Sequence, residues 1–234
     1  MNCTTEQKRA IDCILAIFET GRVPTATSYS TCTILRDGAG ISYGKHQCTD
    51  KSGSLDLVVN MYIASAGVHA AELQKYLAYL AKNESTKVDP KGPFPAWLTD
   101  LIALLKTAGA DPIMQQAQDH VFDANYFNPA MKHVNDIGLT TALGLLVIYD
   151  TCIHSGPSRV STHRAAFPHK SPKNGGDEKE WVKAYLAARR AWLAGSSNPL
   201  VRKCVYRQDA ILELIKADNW DLRFPFVVRG VKVG

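Results

Sequence analysis

"LRDGAGISYGKHQ", residues 35–47, is the stretch in which this chain stops following a helical period. From Pro24 to Cys48 the apolar positions Tyr29, Cys32, Ile34, Ile41 and Tyr43 stand among Thr and Ser, a β-like pattern, and Asp37-Gly38 at its centre is a hairpin turn signal. On the N-terminal side, Thr4 followed three residues later by Gln7 has the form of a capping box. Ile11, Ile14, Leu15 and Phe18 then recur at helical spacing up to Gly21. On the C-terminal side helical patterns dominate, at about Ser54 to Ala66, His69 to Lys82, Ala96 to Ala108, Pro112 to Asp123, Asn128 to Asn135, Leu139 to Ile153, Lys179 to Ala194 and Arg207 to Ala217. The Pro- and Gly-rich segments 88–95 and 155–176 read as long loops. The expected class is mainly α (α+β), with one small β-hairpin or sheet.

The chain has 234 residues, 46% of them hydrophobic, enough for one sizeable core or two lobes sharing a cleft; a single domain over 1–234 is expected. The N-terminus lacks the basic and apolar regions of a signal peptide, and no apolar run is long enough to cross a membrane. A soluble monomer without stable membrane insertion is therefore expected. Six scattered cysteines, Cys3, Cys13, Cys32, Cys48, Cys152 and Cys204, form no C-x-x-C pair and read as reduced structural thiols. The net charge of +5 and pI near 8.8 favour an anionic partner. Arg159, Arg164, Lys170 and Lys173, with His163 and His169, form a basic stretch free of acids between Ser155 and Gly176.

Three charges fall where apolar residues belong. In "LTTALGLLVIYDTCI" (139–153) the stripe Leu139, Leu143, Leu146 continues through Asp150. In "EWVKAYLAARRAWL" (180–193) the stripe Val182, Tyr185, Leu186 continues through Arg189, and Arg207 precedes Ile211, Leu214 and Ile215 at the same spacing. Ionised groups on such faces are costly unless paired. A buried Arg189–Asp150–Arg207 cluster joining three helices is the economical inference, and such a cluster sets the protonation of carboxylates beside it.

Two further carboxylates stand out. Glu19 lies at the C-terminal end of the first helix, where the macrodipole disfavours negative charge. Asp37 opens the hairpin. An acid on a helix end and an acid on the following hairpin can face each other across a cleft, the pairing that glycoside hydrolysis requires: one carboxyl protonates the leaving oxygen, the other activates water or attacks the sugar.

Asp37 stands 18 positions after Glu19 and is followed by "GAGISYGK"; this arrangement resembles the glycoside hydrolase family 46 chitosanases of the lysozyme-like superfamily. The resemblance continues, in the family's order, through "QQAQ" (115–118), "YFNPA" (126–130), "YD" and "HSGP" (149–157), "GGDE" (175–178), Ala188-Arg189, Arg207-x-Asp209 and "NWDL" (219–222). It implies a lysozyme-like, two-lobed helical fold with the small sheet beside the active-site cleft. Glu19 would be general acid, Asp37 general base, and Ser42 would replace a Thr that helps hold the attacking water. Asp150, Arg189 and Arg207 match the family's buried salt-bridge network. The family inverts, so the carboxylates should lie roughly 6.5–9.5 Å apart. No metal or organic cofactor is implied. The glycines around Asp37 would let the substrate come close, with Tyr43, His46, Gln47 and Asp50 as substrate-binding candidates by proximity.

Two departures bear on the substrate. Ser54 occupies a position where the family carries an acid that binds the amines of chitosan, with Asp50 as a substitute for it, a second such acid falls near Ser196, and the net positive charge suits a cationic polymer poorly. "GISYGKHQ" is similar to stretches of phage and bacterial wall-lytic relatives. The leading expectation is thus a muramidase-type hydrolase of peptidoglycan, an endolysin or antibacterial effector. It would be made in the cytoplasm and act in the periplasm or at the wall, with an immunity protein if it is an effector. Hydrolysis of chitosan is the alternative. A binding module reading an anionic polymer through 155–176 is a further one, and nucleic acid is not expected as a partner. A cysteine peptidase using Cys32 or Cys48 with His46 or His154 lacks a nucleophile signature. No G-x-S-x-G elbow, phosphate loop or H-E-x-x-H is present.

Overall fold

The computed structural model describes residues 1–35, 38–89 and 91–234. Helix α1 (Thr5–Thr20) begins at the predicted capping box: Thr4 Oγ1 accepts from the Gln7 amide, and Gln7 Oε1 from the Thr4 amide. Gly21, at φ 76°, closes it. A 3₁₀ turn (Ala26–Ser30) leads into an antiparallel sheet of β1 (Cys32–Leu35), β2 (Gly40–Tyr43) and β3 (Cys48–Thr49), with β2 central. Ile34 pairs with Ile41 and Ser42 with Thr49. The chain then forms α2 (Ser54–Ala64), α3 (Ala70–Gln74), α4 (Leu77–Leu80), α5 (Ala96–Ala108), α6 (Pro112–Phe122), a π-helical turn (Asp123–Phe127), α7 (Asn128–Ile137), α8 (Ala142–Ser155), α9 (Arg159–Arg164), α10 (Glu178–Ala194), α11 (Pro199–Lys203) and α12 (Tyr206–Lys216). It ends in a hairpin of β4 (Phe226–Val228) and β5 (Val231–Val233).

Four elements depart from the sequence reading, one of them the short helix α11, which it did not contain. The helix predicted over 69–82 is broken into α3 and α4, because the chain tightens into i→i+3 bonds from Lys75 to Glu72 and Tyr76 to Leu73. Segment 155–176 is not a bare loop: α9 and a 3₁₀ turn (Pro172–Asn174) lie within it, with Val160 and His163 buried. Its cations are partly committed, since Arg164 donates to the carbonyls of Phe167 and His169 and Arg159 lies over the Trp192 ring. The terminal hairpin carries a signal the periodicity reading passed over, Arg229-Gly230 between β-branched residues, both at positive φ as a two-residue primed turn requires.

The chain divides into two compact units, one comprising residues 1–23 and 125–234, the other residues 24–124. The first is built on α8, in which every residue from Ala142 to Cys152 is buried. A helix apolar all round belongs at the centre of a core, and Asp150 is carried there with it. Glu178 fixes the start of α8, its carboxylate accepting from the backbone and hydroxyls of Thr140 and Thr141, while Asp177 caps α10. "GGDE" is thus a structural joint.

The second unit packs α2, α5 and α6 under the three-stranded sheet, around Ile41, Tyr43, Leu55, Val59, Leu101 and Leu105. Two of the hairpin glycines have a role other than admitting substrate. A Cβ on Gly40 would lie 2.3 Å from Ser85 Oγ, and one on Gly44 would lie 2.0 Å from Gln118 Oε1. Both have positive φ, so each lets a polar side chain of the same unit approach the backbone. Gly44→Ala is accordingly expected to cost on the order of 2 kcal/mol or more. In a thermal melt that would lower Tm by roughly 4–8 °C; an unchanged Tm would contradict this reading of Gly44.

Candidate active site

In the first unit, the end of α1 is held by the start of α12. Tyr206 donates its hydroxyl to the Phe18 carbonyl at 2.6 Å, satisfying one of the carbonyls a helix end leaves unpaired. The Arg207 guanidinium lies 5.0 Å from the Phe18 ring centre, and its Nη1 donates to Glu19 Oε1 at 2.7 Å. A carboxylate at a helix C-terminus, unfavourable on its own, is stabilised there by a cation from another helix. The Glu19 side chain is about half exposed (51%), whereas that of Arg207 is 2% exposed.

Arg207 is itself held from behind. Its Nε and Nη2 donate to Asp150 Oδ1 at 2.9 and 2.5 Å. Arg189 Nη1 donates to Asp150 Oδ2, and Arg189 Nη2 to the Asp150 carbonyl at 3.2 Å. Asp150 and Arg189 are fully buried. Burial alone would raise the Asp150 pKa; the Arg189 and Arg207 guanidiniums outweigh it and hold the carboxyl well below the ordinary range. Burial likewise disfavours the charged form of Arg207, but Asp150 and then Glu19 reverse the sign and keep it protonated. The structure therefore brings together Glu19, Arg207, Asp150 and Arg189 in one chain of hydrogen bonds running from the half-exposed carboxylate into the core. Arg190, next to Arg189, instead forms an exposed pair with Asp209 at 2.7 Å.

In the second unit, Asp37 and its separation from any other carboxylate lie outside the described residues. Ser42, two residues into β2, is fully buried, and its hydroxyl donates to Gln47 Oε1 at 2.8 Å. All four proximity candidates for substrate binding are bonded to partners within the same unit. Tyr43 is fully buried with its hydroxyl on the Leu105 carbonyl at 2.8 Å, as its place in the inner face of the sheet dictates. Asp50 is 1% exposed and accepts from both the amide and hydroxyl of Ser85, so it does not stand in for an acid at Ser54. Ser54 Oγ accepts from the Thr49 amide, a local bond at the start of α2.

His46 donates to Asp119 at 2.7 Å and stacks on Phe122 with ring centres 3.9 Å apart. Sequence reasoning missed the cluster this creates. Asp119 also accepts from Tyr29 at 2.7 Å and Lys45 at 3.1 Å, and Gln118 beside it accepts from the Lys45 amide and donates to the Tyr29 carbonyl. Burial pushes the Asp119 pKa up, but His46, Lys45 and Tyr29 together bring it well below the usual range. The ion-paired α6 thus clamps the β2–β3 turn. The "QQAQ" fragment was the available signal, since Gln118 ends it and Asp119 follows.

The cysteine-nucleophile alternative has no chemical basis in this arrangement. Burial pushes the Cys32 thiol up to about 12 and Cys48 up to about 11, leaving almost no thiolate at neutral pH. Cys3, Cys32, Cys48, Cys152 and Cys204 are free thiols.

A half-exposed glutamate anchored through an arginine to a buried aspartate, in an α-dominated chain with two small antiparallel sheets, fits a glycoside hydrolase. The profile of "Glycosyl hydrolase family 46" matches residues 13–226, and the chain belongs to that family. It is 33% identical over 244 residues to a chitosanase of Bacillus subtilis (strain 168), covering 98% of this chain and 84% of that protein. Among solved structures, a mutant chitosanase from Bacillus subtilis MY002 complexed with 6 GlcN superposes with a TM-score of 0.78 at 29% identity, over 97% of this chain and 96% of that one. A chitosanase from Gynuella sunshinyii in complex with chitotetraose gives 0.76 at 25% identity, over 99% and 98%.

Proposed function

We propose that this chain hydrolyses the β-1,4 bonds of chitosan, with Glu19 as general acid and Asp37 as general base. The observation that carries the reading is the family match over nearly the whole chain together with the anchored state of Glu19. Arg207 engages Oε1, which leaves Oε2 for the glycosidic oxygen. In the reaction Glu19 delivers its proton to the leaving oxygen as the bond to the anomeric carbon breaks. Water attacks that carbon from the opposite face and gives its proton to Asp37, so the configuration inverts. Asp150 and Arg189 position Arg207, and through it the acid. The reaction consumes only water.

Specific observations favour peptidoglycan as a second substrate reading. The chain carries a net charge of +5, Ser54 offers a hydroxyl rather than a carboxylate, and Asp50 is turned onto Ser85. A polycation would meet fewer acids here than the family pattern supplies, while the anionic wall glycan would be attracted. Incubation of the purified chain with chitosan and, separately, with peptidoglycan sacculi decides between them. Glucosamine oligomers released from chitosan, with sacculi intact, are the expected result. Muropeptides with new reducing ends and no chitosan cleavage would transfer the same carboxylate chemistry to the wall polymer.

A further inference from the structure

We propose that His163 is an acid-sensitive switch for the buried network. Neutral, it packs over Arg189 and leaves that guanidinium to Asp150; protonated, it sets a second cation beside Arg189 and loosens the chain of bonds that ends at Glu19. All of these residues belong to the first unit. The consequence for catalysis rests on the proposed role of Glu19, whereas the consequence for stability does not.

The placement follows from α10. Tyr185, Arg189 and Trp192 stand at i, i+4 and i+7, so they share one face of that helix. His163, on α9, meets the first and the last of them edge-on, its ring centre 5.9 Å from that of Tyr185 and 5.2 Å from that of Trp192. The imidazole therefore lies over the stretch of α10 from which Arg189 turns inward. His163 is 2% exposed, and its Nε2 has no hydrogen-bond partner among the described residues; Nε of the fully buried Arg189 has none either. A proton added to a ring so enclosed would be a buried charge without an acceptor.

The surrounding charges act in the same direction. Burial disfavours the imidazolium most, then Arg189, then Arg159, whose guanidinium lies 5.4 Å from the Trp192 ring centre; together they push the His163 pKa down to about 4. On α8, which also packs against α9, Asp150 has its two oxygens engaged by Arg189 and Arg207. His154, near the end of α8, is likewise driven toward its neutral form by burial, Arg207 and Arg189. Burial raises the pKa of Tyr185 on α10 and of Cys152 on α8, so neither offers a counter-charge. A folded pKa below the unfolded value of about 6.5 gives the sign: the contribution to stability is complete above about pH 6.5 and is lost as the pH falls toward the folded value. That window lies above the one in which Asp150 titrates.

The test titrates the wild-type chain by NMR through the histidine Cε1–H and arginine Nε–H signals, with His163→Gln and His163→Phe for assignment, melts and kinetics. The His163 signal should hold its neutral position down to about pH 5 and move with a midpoint near the folded value, and the Arg189 Nε–H signal should move with it. A His163 midpoint at about 6.5, or an Arg189 signal that does not follow His163, would overturn the switch. Between about pH 7 and about pH 4.5 the Tm of wild type should fall by roughly 5–10 °C more than that of either variant. Equal falls in all three would overturn it as well. In hydrolysis of a glucosamine hexamer, the ratio of variant to wild-type kcat should rise about twofold between about pH 7 and about pH 4. A flat ratio with an inactive Glu19→Gln would overturn the coupling to the acid; an active Glu19→Gln would overturn the role of Glu19 and leave the effect of His163 on stability standing.

Discussion

Glu19→Gln is expected to lower kcat by about 10²–10⁴-fold with little change in KM and none in Tm. The amide is nearly isosteric with the carboxyl, and its oxygen still accepts from Arg207 Nη1, so the chain of bonds back to Asp150 survives. What disappears is the proton for the leaving oxygen. Because Glu19 is half exposed and lies at the end of α1, its replacement leaves no buried group unpaired. Steady-state kinetics with a thermal melt on the same preparation check both halves. Loss of activity accompanied by unfolding would point to a structural role, and retained activity would remove Glu19 from the mechanism.

Asp150→Ala is expected to have the largest effect on stability. It would leave Arg189 (0% exposed) and Arg207 (2% exposed) as buried cations without their shared carboxylate. Breaking a buried pair from one side costs about 3–5 kcal/mol, which for a chain of this size lowers Tm by roughly 6–20 °C. The pH dependence has a definite sign. The folded pKa of Asp150 is depressed relative to an unfolded value of about 3.9. Its stabilising contribution is therefore fully present above about pH 4 and is lost as the pH falls toward the folded value. Denaturant unfolding of wild type should show a steep loss of stability below about pH 4, and Asp150→Ala a shallower one. Equal stability of the two at pH 7 would contradict the network's role. Activity should fall as well, because Arg207 would lose the partner that aims it at Glu19.

Much of this site is legible in the sequence for one physical reason: charge in an apolar run is expensive enough to be informative. Asp150 interrupts a stretch that is otherwise apolar, and Arg189 and Arg207 interrupt stripes of their own, so their mutual pairing follows without coordinates. Glu19 is marked by the opposite kind of misfit, a negative charge at a helix C-terminus. The partners within the second unit carry no such signal. Ser85, Gln118 and Asp119 are polar residues on short or amphipathic helices, where a solvated side chain and a buried one look alike in sequence. They meet the β2–β3 segment from 35 to 74 positions away. For the same reason Gly40 and Gly44 read as open space for substrate, although they are sites of close side-chain approach. The left-handed backbone of Gln47 is invisible in sequence because glutamine has no preference for it. The terminal strands, three residues each, are too short for a periodicity window.

The proposed reaction is an inverting hydrolysis of a β-linked amino-sugar chain by Glu19 and Asp37. The most direct measurement is proton NMR of the reducing ends formed in the first minutes of hydrolysis of a glucosamine hexamer, with wild type and Glu19→Gln in parallel. The α-anomer is expected to appear first, equilibrating later with the β-anomer, and neither should accumulate with Glu19→Gln. Initial release of the β-anomer, or undiminished release by Glu19→Gln, would contradict it.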